Sequence, residues 1–287
     1  MRIAVTGANG MLGSDVVRLL GVRGHDVRAM SRPDFDIYDR EQIDAMVAAA
    51  DVVVNCAAWT AVDDAEAQES SAFELNAVVP QLLARATRER ASALVHISTD
   101  YVFDGAASEP YDEDAALAPR SAYGRTKAAG EWAVRASNPR HWLLRTAWLY
   151  GAGGGCFPKT IARLAENRDE VQVVVDQVGQ PTWTVDVADK IVSLLDRGAP
   201  FGTYHATSSG SASWRDMAER VVAASGGRAR VMPTTTDRFP RPAPRPAWSV
   251  LGHRRWHEVG IAPIGDWRDR WEEAADSVLG SGSPSLE

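Results

Sequence analysis

Short β-branched runs alternate with segments of helical apolar spacing through the first half of the chain. The predicted strands are 2–7, 25–31, 51–58, 92–100 and 141–151, and the predicted helices are 11–24, 39–50, 70–90 and 123–136. The third strand, DVVVNCAA, carries valines without alternation, which is typical of a strand covered on both faces. This alternation predicts an α/β fold in which a doubly wound parallel sheet has helices on both sides.

The second half of the chain has a less regular pattern. Helical spacing recurs over 153–168, 185–198 and 213–226, and strand-like runs begin at Glu170 and Gly202. A proline stands at every second position from Pro240 to Pro246, which indicates an extended loop. These features predict a smaller mixed α/β region, and the small polar residues 281–287 are expected to be a frayed tail.

Composition and charge narrow the classes of partner. The chain has 287 residues, 45% of them hydrophobic, and a formal net charge of −7. Without a long basic run, such a chain is not expected to bind nucleic acid. Two cysteines, Cys56 and Cys156, are too few for a disulfide scaffold. The N-terminus lacks a signal-peptide apolar region, and the most apolar stretch is broken by Asp51. We therefore expect a cytoplasmic protein without a membrane partner.

A glycine pattern follows the first predicted strand. Gly7, Gly10 and Gly13 form G-x-x-G-x-x-G between that strand and the first helix. Glycines at this place let the backbone turn tightly and approach a pyrophosphate, while the helix N-terminus offers amide donors. A glycine-rich turn without a ligand is the alternative, but the strand–loop–helix context favours a dinucleotide site.

Tyr123 and Lys127 stand one helical turn apart, so their side chains share a face. The spacing alone arises often by chance. Combined with the glycine loop and with Ser98 and Thr99 at the end of the fourth strand, it resembles the extended short-chain dehydrogenase/reductase family. Within that family, NCAAWTAVDDAE, STDYVFDG, DQVGQPTW, RTAWLYG and RPAWSVL look like signatures of dTDP-4-dehydrorhamnose reductases.

The resemblance implies a Rossmann-type, NADP-binding domain and a substrate-binding region. The first would comprise 1–151 and about 184–206, and the second 152–183 and 207–287. The implied reaction is reduction of the 4-keto group of a dTDP-4-keto-6-deoxy-L-hexose by NADPH, with acceptance of NADH left open. A homodimer is also left open.

The resemblance assigns catalytic roles to Thr99, Tyr123 and Lys127. Tyr123 would donate the proton, and Lys127 would lower the pKa of that phenol and bind the nicotinamide ribose. Thr99 would orient the carbonyl, because the side chain of Ser98, its neighbour on a strand, should point the other way.

The cofactor contacts implied by the resemblance surround the glycine loop and the ends of the neighbouring strands. They are Gly7, Gly10, Met11, Leu12, Gly13, Ser31, Arg32, Asp36, Ile37, Ala57, Ala58, Trp59, Thr60, Ser98, Tyr123 and Lys127. Arg32 beside Ser31 suits the 2′-phosphate of NADPH, whereas NAD sites usually place a carboxylate there. The alternative is that Arg32 lies on a solvated turn.

The implied substrate contacts follow strands of the sheet or lie in the irregular half. They are Thr99, Asp100, Tyr101, Trp148, Gln180 and Arg245. Trp148 would form a wall against the sugar, although a core tryptophan is the alternative. Arg238 and Arg241 fit a diphosphate or a solvated loop equally well. No metal site is predicted, since Asp15 alone matches a magnesium ligand of some relatives.

Two other functions remain open at this point. One is a 4-ketoreductase for a different dTDP-deoxysugar of antibiotic biosynthesis, which would use the same residues. The other is a non-catalytic subunit resembling the regulatory subunit of methionine adenosyltransferase. The presence of both Tyr123 and Lys127 argues against the second.

Overall fold

The computed structural model describes residues 1–280, so the predicted tail at 281–287 lies outside the described residues. A six-stranded parallel sheet forms the centre of the first half, in the order β2-β1-β3-β4-β5-β10. Its strands are β1 (Arg2–Thr6), β2 (Asp26–Met30), β3 (Val52–Asn55), β4 (Ala93–Thr99), β5 (His141–Thr146) and β10 (Gly202–His205). The doubly wound α/β prediction is confirmed.

Helices cover both faces of this sheet and build the irregular half. They are α1 (Met11–Val22), α2 (Arg40–Ala48), α3 (Val62–Ala67), α4 (Glu69–Phe73), α5 (Val79–Glu89), α6 (Ala122–Ser137), α7 (Phe157–Asn167), α8 (Thr184–Asp196), α9 (Trp214–Ala224), α10 (Arg254–Glu258) and α11 (Trp267–Leu279). The predicted helix 70–90 is interrupted by a π-helical turn at Glu74–Val78, just before Pro80. A proline inside a helix removes a backbone hydrogen bond, which accounts for the irregular turn at this position.

Alternating side chains of β1, β3 and β4 belong to two different cores. Ile3 and Val5 of β1 pack toward α1 and α8, whereas Ala4 packs toward α2 and α5. Because both faces of these strands are buried, their sequences are continuous apolar runs. Trp256 and Ile261, near the C-terminal end, also pack in the α1–α8 core.

The irregular half has its own core, built around α7, α9 and α11. Three strand pairs brace it: β7 (Glu170–Val174) with β12 (Arg230–Thr234), β8 (Val178–Gly179) with β11 (Ala212–Ser213), and β6 (Leu149–Tyr150) with β9 (Thr182–Trp183). The predicted strand 141–151 divides into β5 and β6, because Trp148 between them has φ +47°. None of the helices in residues 1–280 has the length and apolarity needed to cross a bilayer.

Candidate active site

The candidate site lies at the carboxyl ends of the central strands. In a doubly wound sheet, ligands bind at this edge where the strand order reverses. Here the chain runs from β1 outward to β2 and then back to β3, so the reversal falls beside β1. The glycine loop follows β1, residues 56–60 follow β3, and Thr99 ends β4 in register with Thr146 at the end of β5.

The glycine loop packs too closely for larger residues at two positions. Gly7 has φ +66°, and a Cβ there would lie 2.7 Å from the backbone nitrogen of Ala57. A Cβ on Gly13 would lie 2.2 Å from the carbonyl oxygen of Gly7. Gly10 caps α1 without a side-chain hydrogen bond from the described residues. The first amides of α1, at Met11 and Leu12, therefore remain available to an anion.

A cavity of about 350 Å³ opens beside this loop. Its lining combines the glycine loop, the segment after β2 and the segment after β3: Gly7, Asn9, Gly10, Met30, Ser31, Arg32, Phe35, Asp36, Ile37, Tyr38, Cys56, Ala57, Ala58 and Leu75. Arg32 is exposed, while the Asp36 carboxylate accepts a hydrogen bond from the amide of Tyr38 at 3.0 Å. Cβ atoms added at Gly7 and Gly13 would crowd this loop, and an arginine is among the residues that line the cavity. Both features fit a phosphorylated dinucleotide.

Residues after β3 connect this cavity to α6. The amide of Trp59 donates to Asn76 Oδ1 at 2.8 Å, and Asn76 Nδ2 donates to Thr126 Oγ1 at 3.1 Å. The indole of Trp59 packs in one cluster with Tyr123. Thr60 is exposed, so the sequence-predicted residues 57–60 run from the cavity to the surface.

Tyr123 and Lys127 are both buried near the start of α6. Ser121 caps this helix by accepting from the amide of Gly124 at 3.1 Å. The Tyr123 ring meets the ring of Tyr101 edge-on at 5.6 Å, and Lys127 Nζ donates to the carbonyl of Ile97 at 2.6 Å. The expected shared face of the helix is therefore turned toward β4, into the protein rather than into solvent.

Burial shifts both pKa values. Burial raises the pKa of Tyr123 to about 12, against a hydrogen bond with Thr99 that acts to lower it. This is opposite to the expected lowering by Lys127. Burial also lowers the pKa of Lys127 to about 8, although the nearby charge of Glu131 favours the protonated amine. At neutral pH the site thus holds a neutral phenol and a mostly charged lysine.

Thr99 and Ser98 point in different directions, as the strand alternation predicted. Thr99 Oγ1 donates to the Asp100 carboxylate at 2.8 Å, and Ser98 Oγ donates to Glu131 Oε1 at 2.6 Å. Burial raises the pKa of Asp100 to about 6, while hydrogen bonds with Ser249 and Thr99 oppose that shift. Because the Ser98 hydroxyl is used inside the protein, a cofactor contact from Ser98 would come from its backbone.

Glu131 is a site neighbour that sequence reasoning missed. Its carboxylate is fully buried, and both oxygens accept from Arg145, at 2.9 Å each. The available signal was its position one turn beyond Lys127, on the same face of α6. Glu131 therefore joins Ser98 of β4, Lys127 of α6 and Arg145 of β5 in one buried charged network.

A second cavity, of about 380 Å³, separates the sheet edge from the irregular half. Aromatic and aliphatic side chains dominate its lining, with amides and arginines among them: Tyr101, Phe157, Thr160, Ile161, Leu164, Val171, Gln172, Val173, Val174, Gln177, Trp214, Phe239, Arg241 and Arg245. Apolar walls with a few convergent polar groups are typical of ligand sites. We call it the outer cavity.

Arg245 is held by a residue that sequence reasoning left without a role. Its Nη2 donates to Asp63 Oδ2 at 2.8 Å. Asp63 also accepts from the amide of Ala243 at 3.2 Å and lies 3.7 Å from Arg241. Arg245 Nη1 is buried and has no hydrogen-bond partner among residues 1–280. A buried donor of this kind suits an anionic ligand oxygen.

Arg238, the other arginine for which a diphosphate contact was left open, is exposed beside Asp237.

The remaining predicted substrate residues differ in their surroundings. Trp148 is half-buried and stacks on Trp214 with ring centroids 3.6 Å apart. Gln180 is buried, and its amide both donates to and accepts from the backbone of Leu251, at 3.1 and 2.8 Å. A substrate contact from Gln180 would have to break one of these bonds.

Asp15, the residue considered for magnesium, is used within the protein. Its carboxylate accepts from Thr184 Oγ1 at 2.7 Å and lies 3.3 Å from Arg18. Across residues 1–280, no cluster of three or more His, Cys, Asp or Glu side chains is arranged to hold a metal ion.

Known proteins resemble this chain over nearly its whole length. The pattern of the family described as RmlD substrate binding domain matches residues 1–279. A Streptomyces antibioticus protein named probable dTDP-4,6-dihydroxy-2-methyloxan-3-one 4-ketoreductase is 48% identical, over 99% of this chain and 98% of its own. A dTDP-4-dehydrorhamnose reductase of Streptomyces griseus is 45% identical, over 97% and 94%. The crystal structure of the Bacillus anthracis dTDP-4-dehydrorhamnose reductase in complex with NADP has 34% identity and a TM-score of 0.92, covering 95% of this chain and 98% of that one.

Proposed function

The chain belongs to the RmlD substrate binding domain family, and we propose that it uses NADPH to reduce the 4-keto group of a dTDP-4-keto-6-deoxyhexose. The observation that carries this proposal is the arrangement at the sheet edge. Tyr123 hydrogen-bonds with Thr99, Lys127 lies one helical turn away, and its amine is near Cys56 of the glycine-lined cavity. Named reductases of dTDP-4-keto sugars among the relatives support it.

The residues that would hold NADPH line the cavity beside α1. The amides that begin α1 would bind the pyrophosphate, and Arg32 with Ser31 would bind the 2′-phosphate. Lys127 would bond the nicotinamide ribose. When bound, the nicotinamide supplies the hydride. The Bacillus anthracis relative was solved with NADP, which supports this cofactor.

The chain's own chemistry is to hold the ketone and give its oxygen a proton. Tyr123 would donate that proton, since its phenol is neutral at physiological pH. Thr99 would orient the carbonyl by donating its hydroxyl proton to the ketone oxygen, for which its present bond to the Asp100 carboxylate has to break. Tyr101 and Trp59 pack against the buried Tyr123 ring, which excludes water from the proton donor.

The substrate would extend from Tyr123 into the outer cavity. Tyr101 belongs to both places, because its ring meets Tyr123 and also lines that cavity. We propose that the nucleoside enters between the aromatic walls and that Arg245 Nη1 binds the diphosphate. The sugar would then lie between Tyr101, Thr99 and Trp148.

The proposed sugar is dTDP-4-dehydrorhamnose, giving dTDP-L-rhamnose. The second candidate is another dTDP-deoxysugar, which the 48% identity to the Streptomyces antibioticus ketoreductase favours. The deciding experiment incubates purified protein with dTDP-4-keto-6-deoxy-L-lyxo-hexulose and NADPH, and reads product stereochemistry by NMR. Turnover to the rhamno product supports the first candidate, while turnover to the epimer at C4 supports the second. No turnover of this substrate, with NADPH still bound, would fit either a reductase of a different dTDP-4-keto sugar or a non-catalytic subunit, and assays with other dTDP-4-keto sugars would separate the two.

Location and assembly are part of the same proposal. A cytoplasmic protein fits a reaction that consumes NADPH and a sugar nucleotide, and we propose that location. A homodimer stays a prediction, which sedimentation of the purified protein at several concentrations would test.

A further inference from the structure

Trp148 has a backbone conformation that a tryptophan rarely adopts. Its φ of +47° lies in the left-handed region, where a bulky side chain is strained. It stands two residues beyond Thr146, the register partner of Thr99, and therefore next to the proposed reacting carbonyl. Such strain persists only where surrounding contacts fix the residue, so those contacts matter for the site.

Two neighbours determine where the Trp148 indole lies. Trp214 stacks on it with ring centroids 3.6 Å apart and an angle of 3° between the planes. Gly179 approaches so closely that a Cβ there would lie 2.5 Å from Cε2 of the indole. The backbone is also fixed, since the amide of Thr182 donates to the Trp148 carbonyl at 3.2 Å.

Trp214 is itself rigidly placed. It is the first residue of α9, directly after Ser213, which caps the helix in a reciprocal pair with Asp216. The indole Nε1 of Trp214 donates to Gln177 Oε1 at 3.0 Å, and Gln177 Nε2 donates to Thr236 Oγ1 at 3.0 Å. These bonds hold the ring against rotation in the plane of the stack.

Trp214 also lines the outer cavity together with Phe157 and Gln177. One indole thus contacts Trp148 and forms a wall where the proposed function places the nucleoside. We propose that Trp214 is a positioning residue: it holds Trp148 in its strained orientation and links nucleotide binding to placement of the sugar. This inference rests on the proposed function for its substrate.

The link predicts how three variants differ. Trp214→Leu removes the stack and a wall of the outer cavity, so the kcat for the dTDP-linked keto-sugar should fall by roughly tenfold or more, with weaker binding of thymidine diphosphate. Trp214→Phe keeps an aromatic ring and should restore most of the kcat. Gly179→Ala displaces the Trp148 indole while leaving Trp214 in place, so it should lower kcat with little change in thymidine diphosphate affinity.

Trp132→Leu is the matched control, because Trp132 is 56% exposed on α6. Two stacked indoles whose transition dipoles are not parallel give an exciton couplet in circular dichroism, which provides a readout without turnover. Trp214→Leu and Trp148→Leu should lose the same couplet, and Trp132→Leu should keep it. NADPH affinity should be unchanged throughout, because the cofactor cavity is separate.

The outcomes separate this inference from the proposed function. If wild type reduces the keto-sugar but Trp214→Leu and Gly179→Ala match its kcat, the positioning role is wrong and the function stands. If wild type shows no turnover, the proposed function is wrong. The couplet then tests the stack of Trp148 on Trp214, and the thymidine diphosphate titrations test binding in the outer cavity. Loss of the couplet in Trp214→Leu but not in Trp148→Leu would overturn the inference in either case. Should Trp214→Leu not fold, Gly179→Ala carries the test.

Discussion

Replacing Lys127 by Met should change how the stability of the fold depends on pH. Lys127 is only 2% exposed, and burial lowers its pKa from 10.5 to about 8. The folded protein therefore binds this proton less tightly than the unfolded chain does. The charged amine costs stability at neutral pH, and the cost disappears as the pH rises from about 8 toward 10.5.

The two pKa values fix the size of this effect. They give a penalty of about 3 kcal/mol at pH 7 and about 2 kcal/mol at pH 9. Wild type should therefore gain about 1 kcal/mol over Lys127→Met between these two pH values. This difference depends only on proton binding by Lys127, so losing its bond to the Ile97 carbonyl does not alter it. The same variant should slow turnover and weaken NADPH binding, because the ammonium is lost.

Urea unfolding of both proteins without cofactor, followed by circular dichroism at pH 7, 8 and 9, measures the effect. Lys159→Met removes a lysine outside the candidate site and is the matched control, expected to run parallel to wild type. If Lys127→Met also ran parallel to wild type, the buried amine would titrate equally in the folded and unfolded chains. The electrostatic account of the site would then be refuted.

Three further substitutions test the assigned roles. Tyr123→Phe should lower turnover by about 10²–10⁴-fold with NADPH affinity retained, since only the proton donor is lost; wild-type turnover would remove the assignment. Arg32→Ala should shift the NADPH-to-NADH affinity ratio by about one to two decades, given roughly 1.5–3 kcal/mol for a charge-assisted bond, and equal losses would place Arg32 elsewhere. Arg245→Ala should lower turnover of the dTDP-linked keto-sugar but not of the free sugar, which should itself react poorly. Comparable rates for the linked and free sugars in wild type would contradict the diphosphate contact.

Local pattern was enough to predict the sheet and most of its helices. Valine runs without alternation indicated two-sided burial, and the predicted helices 39–50 and 213–226 begin at Asp39 and Ser213, which the structure shows as N-caps. The direction of Ser98 and Thr99 followed from strand alternation alone. Each of these features depends on residues that are neighbours along the chain.

Features set by distant contacts could not be predicted in this way. Trp148 has a left-handed backbone, and its indole contacts Trp214 and Gly179, which are far away in sequence. The pairing of Asp63 with Arg245 joins α3 to the proline loop, across 182 positions of the chain. Nothing in the spacing of either residue indicates the other, although Asp63 lies within one of the recognised motifs.

The pKa of Tyr123 shows how burial sets the protonation behaviour of the proposed proton donor. A lysine one turn away suggested a lowered pKa, but burial outweighs every opposing contact and raises it to about 12. Reduction of a ketone needs a proton donor for its oxygen, and a neutral phenol is one. Oxidation of the alcohol would need the phenolate, which burial disfavours at neutral pH. The site therefore suits reduction at pH 7, and the reverse reaction of the proposed product with NADP should accelerate as the pH rises. A reverse rate that falls from pH 7 to pH 9, in a range where NADP binding is constant, would contradict this role of burial.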